Sequence, residues 1–109
     1  MALPAAHNPV TEFPGGNAFV NITAAAPTTT AVSAAPAVLV RIVVNKAAAN
    51  GTITVYDNTA ASGTIAALVT MPATLLANQF VFEYGVAMST GITVVTATAA
   101  QDITVVYRT

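Results

Sequence analysis

Cysteine is absent from the chain, so there is no disulfide framework, no thiolate nucleophile and no cysteine-based zinc site to build on. Tryptophan is absent too, and histidine occurs once. Charge is scarce: three Lys/Arg and four Asp/Glu make up 6% of residues, where an ordinary globular chain carries about 25%. A net charge of −1 without clustered Lys or Arg excludes a nucleic-acid partner, because phosphate neutralisation needs a basic patch. The longest apolar stretch, residues 63–82, is interrupted by Pro72, Asn78, Gln79 and several threonines. A spanning helix needs about 20 mostly apolar residues, so no membrane partner is expected. The start, Met1-Ala2-Leu3-Pro4-Ala5-Ala6-His7, lacks a basic segment followed by an apolar one, and no secretory leader is expected. Asn21-Ile22-Thr23 and Asn50-Gly51-Thr52 fit the glycosylation pattern, which without export means nothing.

The groups that carry chemistry are thin as well. A hydrolase triad needs a nucleophile, a base and an orienting acid, and the one histidine, His7, stands among prolines with no partner nearby. A two-carboxylate site would have to be drawn from Glu12, Asp57, Glu83 and Asp102, of which Asp57 and Asp102 stand in turn sequence, where side chains cap backbone amides. No Asp/Glu cluster or histidine pair suits a metal, and the glycines do not form a phosphate loop. The expectation is no enzyme: no catalytic residue, no cofactor and no metal.

What the chain does have is a recurring strand pattern. Ile53-Thr54-Val55 runs into the turn residues Asp57-Asn58, and the same triplet returns as Ile92-Thr93-Val94 and Ile103-Thr104-Val105. Val, Ile, Thr and Tyr suit a pleated, half-buried surface, and the Asp, Asn, Ser and Gly between them turn the backbone. Alternation places strands at 18–24, 28–33, 37–45, 52–57, 64–71, 79–84, 92–98 and 103–108. Asn50-Gly51 marks a turn ahead of the fourth, and residues 73–78 form a connection with room for one helical turn. Residues 85–91 read as a turn region.

The expected core is Val38, Val40, Ile42, Val44, Ile53, Val55, Ile65, Val69, Phe80, Phe82, Ile92, Val94, Ile103 and Val105. In the third strand this puts Leu39, Arg41, Val43 and Asn45 on the outer face. The stripe Phe80, Phe82, Tyr84 could stack sugars, but at strand spacing it reads as core. Eight short strands at intervals of roughly 8–12 residues predict an all-β fold: a single-domain β-sandwich, jelly-roll-like, of about eight strands. The triplet recurs too few times for propeller blades.

Residues 1–17 differ. Pro4, Pro9, Pro14 and Gly15-Gly16 keep this stretch out of helix and central sheet, so it is expected to be an extended N-terminal arm preceding a sandwich domain at 18–109. Leu3, Pro4, His7, Val10 and Phe13 are the candidate partner-contact residues of that arm, because a small sandwich has little spare surface to cover its apolar side chains.

The run from Ile42-Val43-Val44-Asn45-Lys46 through Gly51-Thr52-Ile53-Thr54-Val55-Tyr56-Asp57-Asn58-Thr59-Ala60-Ala61-Ser62-Gly63-Thr64 resembles small structural proteins of tailed bacteriophages. The ending Ser89-Thr90-Gly91-Ile92-Thr93-Val94-Val95 with Asp102-Ile103-Thr104-Val105-Val106-Tyr107-Arg108 is similar to the same proteins, so the resemblance covers residues 37–109. It implies a virion component, a capsid decoration (cement) protein made in the host cytoplasm and placed on the capsid surface. The implied partners are the major capsid protein and further copies of the chain, as a homotrimer. Two other readings stand beside it. A receptor- or glycan-binding β-module of a head fibre or tail would expose Phe80 or Tyr84, and an ice-binding protein would need more regular Thr-x-Thr repeats than this chain has.

Overall fold

The computed structural model describes residues 16–109. Eight strands follow one another: β1 (Ala18–Ile22), β2 (Thr28–Ser33), β3 (Ala37–Lys46), β4 (Thr52–Tyr56), β5 (Ile65–Thr70), β6 (Phe80–Met88), β7 (Ile92–Ala97) and β8 (Asp102–Arg108). No helix occurs among the described residues, and residues 73–78 form bends rather than a helical turn.

The strands make two four-stranded antiparallel sheets, sheet A in the order β1-β8-β3-β6 and sheet B in the order β2-β7-β4-β5. Each strand of the first half pairs with its counterpart counted back from the end: β1 with β8, β2 with β7, β3 with β6 and β4 with β5. The chain therefore doubles back at the β4–β5 loop into one long ribbon. That ribbon rolls over until β3 meets β8 and β4 meets β7, which closes the two sheets. This is the jelly roll.

The Ile-Thr-Val triplets set the core. Ile53, Val55, Ile92, Val94, Ile103 and Val105 are all fully buried between the sheets, with the central residue of each triplet pointing the other way. Leu39, Ile42, Val44 and Met88 meet them from sheet A. Phe80, Phe82 and Tyr84 are half-buried and pack against this cluster, Phe80 and Phe82 with rings stacked at 6.2 Å.

Three positions depart from simple alternation, each at a register shift. Leu39, expected on the outer face, is fully buried, whereas Val38, expected inside, is only half-buried. Between Leu39 and Arg41, β3 carries one residue more than β8, and β6 one more than β3. A bulge residue resets the pleat, so β3 points Ala37 and Leu39 inward before it and Ile42 and Val44 inward after it. On β6 the extra residue falls beside Gly85, whose φ of 65° is one that glycine adopts without a Cβ penalty. The strand then runs on to Met88, so residues 85–88 are strand and not turn. In the same way a shift between Val55 and Tyr56 turns Ile65 outward to 51% exposure, while Val69 stays half-buried.

Candidate functional site

Each described carboxylate is committed to a partner. Asp57, just past β4, accepts hydrogen bonds from the Thr90 amide (2.8 Å), the Ser89 amide and hydroxyl (both 3.0 Å) and the Gly91 amide (3.4 Å). It ties the β4–β5 loop to the β6–β7 loop at one end of the sandwich. The Thr90 and Ser89 amides hold its carboxyl below the usual carboxylate range. Asp102, expected in a loop, opens β8 instead, at the other end of the sandwich. It accepts from the Asn21 and Asn45 side-chain amides at 2.8 and 3.1 Å, which lower its pKa with help from Lys46. Glu83 receives Arg41 Nε at 3.0 Å across the outer face of sheet A. With side chains 32% and 65% exposed, that pair is worth at most about 1 kcal/mol. No group of three or more His, Cys, Asp or Glu gathers among the described residues.

The two aspartates give the fold an acid sensitivity. A carboxyl whose pKa falls on folding adds stability that is fully present above its unfolded pKa of about 3.9 and is lost as pH falls through the lower folded value. The urea midpoint should be flat from neutral pH to about 5 and drop below that. Asp57→Asn should lower the neutral plateau and flatten the acid drop. Equal acid slopes in the variant and the parent would show that the loop clamp does not sense pH.

The described residues present two extended outer sheet faces. On sheet A the outward row Phe19, Val106, Arg41, Glu83 crosses all four strands in register. On sheet B the corresponding row is Thr29, Val95, Thr54, Leu68. The sheets differ in charge. Arg41, Lys46, Glu83, Asp102 and Arg108 all lie on strands of sheet A, and no residue of β2, β4, β5 or β7 is charged. The outer side of sheet B is a plane of Thr, Ala and Val with Tyr56 at one end of β4, and with Leu68 62% and Ile65 51% exposed. Its edge strands β2 and β5 lack the charged side chains that usually blunt an exposed edge.

A groove of about 490 Å³ lies at the β1–β8 side of sheet A, lined by Gly16, Asn17, Ala18, Phe19, Thr104 and Val106. Phe19 is 70% exposed there. Gly16 lies so close that a Cβ would overlap Val106 Cγ1 and come within 2.8 Å of the Tyr107 carbonyl oxygen. The Asn17 amide donates to that oxygen at 3.1 Å. The exposure of Phe19 is legible in alternation, since Val20 and Ile22 share the opposite, core-facing side of β1. The partition of charge between sheets is not, because it needs the strand order.

The arm residues Leu3, Pro4, His7, Val10 and Phe13 lie outside the described residues. Phe80 and Tyr84, whose exposure would have favoured a glycan-binding module, are packed against the core instead. No family model, curated protein or solved structure matches this chain.

Proposed function

We propose that this protein is a non-enzymatic virion structural protein, a capsid decoration (cement) protein of a tailed bacteriophage that binds the major capsid protein and stabilises the head. The observation that carries the reading is the uncharged outer side of sheet B with its two unprotected edges. Burying such a face desolvates no charge, and leaving it bare in solution invites edge-to-edge association. The resemblance of residues 37–109 to phage structural proteins points the same way. The jelly roll is compatible with it, being an architecture of viral capsid and lectin domains, although a fold does not by itself assign a function. Copies assemble as a trimer, matching the three-fold positions of a capsid lattice, and the protein resides on the virion surface after synthesis in the host cytoplasm.

The test is to mix the purified protein with heads assembled from the major capsid protein of the same phage. Saturable co-sedimentation, density at three-fold positions by electron microscopy and heads that survive higher temperature are the expected results. Absence of binding at tens of micromolar, together with recognition of a glycan on an array, would replace this reading with the receptor-binding one.

A further inference from the structure

Asn50-Gly51 is the only Asn-Gly pair in the chain, and it lies in the loop between β3 and β4. An asparagine side chain is open to attack by the backbone nitrogen of the next residue, and a glycine there, having no Cβ, leaves that nitrogen unhindered. Every other asparagine precedes a residue that carries a Cβ. The structure pins the pair through its backbone. The Gly51 N–H donates to the Ala48 carbonyl oxygen at 3.0 Å, the Met71 N–H donates to the Gly51 carbonyl oxygen at 2.8 Å, and the Asn50 N–H donates to the Pro72 carbonyl oxygen at 3.3 Å. Asn50 is exposed and Gly51 is buried. Gln101 closes the space on the buried side, since a Cβ added to Gly51 would lie 2.7 Å from Gln101 Nε2. Asn50 has a φ of 64° at the third position of the turn that Gly51 closes onto Ala48, which is the geometry of a type II turn, where ψ is about 0°.

We propose that Asn50 is a guarded deamidation site, which converts to aspartate or isoaspartate only in molecules whose β3–β4 loop has opened. In the reaction the Gly51 nitrogen gives up its proton and bonds to Asn50 Cγ, and the side-chain nitrogen leaves as ammonia. Water then adds to the cyclic imide and breaks one of its two carbonyl–nitrogen bonds, giving aspartate or, with the main chain rerouted through Cγ, isoaspartate. The sum is addition of water and loss of ammonia, with no change of oxidation state. Ring closure needs the Gly51 nitrogen turned to the same side of the Asn50 Cα–C bond as Cβ. A ψ of about 0° keeps it well away from there, and rotating toward it breaks the Gly51 bond to Ala48 and the Met71 bond to Gly51 together. The proton that must leave Gly51 is also the one donated to Ala48. The native rate is therefore the rate of the open loop multiplied by the fraction of time the loop is open. Isoaspartate lengthens the main chain of the turn by a carbon atom, so the closed turn cannot re-form as it was. Either product adds a carboxylate where loop residues 47–51, 71–79 and 98–101 carry no charge.

The test holds the full-length protein in mildly alkaline buffer, native and in denaturing urea, and follows each asparagine by peptide mass spectrometry. An isoaspartyl methyltransferase reports the rearranged product, and a peptide of residues 46–54 in the same buffer without urea sets the unguarded rate. Asn50 should convert faster than any other asparagine in urea, and at least tenfold more slowly in the native protein than in the peptide. A tenfold difference corresponds to an opening cost of about 1.4 kcal/mol. Urea added below the unfolding transition should raise hydrogen exchange at the Gly51 amide and conversion at Asn50 in proportion. Asn50→Gln should remove the methyltransferase signal. Equal rates in the native protein and the peptide overturn the guard, and another asparagine converting first in urea overturns the site. Native conversion that fails to follow Gly51 exchange overturns the link between opening and reaction.

Discussion

Leu39→Ala should destabilise the protein by about 2–5 kcal/mol, while Val38→Ala should cost about 1 kcal/mol or less. Leu39 is fully buried between the sheets, next to a bulge that reverses the pleat of β3. Removing its side chain deletes transfer energy and leaves a cavity that a sandwich clamped on both faces cannot readily collapse. Val38 lies one residue earlier on the half-exposed side. At roughly 4–8 °C per kcal/mol for a domain of this size, the first variant should melt at least about 8 °C below the parent and the second within about 8 °C of it. Uninterrupted alternation through β3 makes the opposite forecast, with Val38 the costly position. Thermal melts of the two variants decide between the two pleats.

If sheet B is the capsid-binding face, as proposed above, Thr29→Lys combined with Leu68→Lys should reduce capsid occupancy more than a hundredfold while leaving the melting temperature nearly unchanged. The two residues end the same outward row of sheet B, on its opposite edge strands, and both are exposed. Exposed substitutions of this kind usually alter stability by no more than about 0.5 kcal/mol. Each new ammonium would be trapped without a partner against the capsid, and an unpaired buried charge costs several kcal/mol. Two such charges exceed the roughly 2.7 kcal/mol that a hundredfold loss represents. Val81→Lys, on the outer side of sheet A, is the control and should bind as the parent does. If the double variant decorates heads normally while the control fails, sheet A faces the capsid and sheet B faces solvent.

Periodicity alone carried much of this protein. Alternation of Ile, Val and Thr located all eight strands, and the repeated triplet named the most deeply buried positions, because a period of two leaves each strand only one way to face a core. The low charge count also bounded how ionic the surface can be, and composition needs no coordinates to say so.

Three things were decided only by the tertiary structure. The pleat reversal at Leu39 and the outward turn of Ile65 come from strand neighbours of unequal length across a bulge, and a strand read singly contains no record of its neighbours. The role of Asp57 as a clamp depends on amides more than 30 residues away in sequence. The separation of a charged sheet from an uncharged one appears only when the ribbon rolls. Along the chain, the uncharged strands β2, β4, β5 and β7 are interleaved with the others, and it is the jelly-roll pairing that gathers them onto one side.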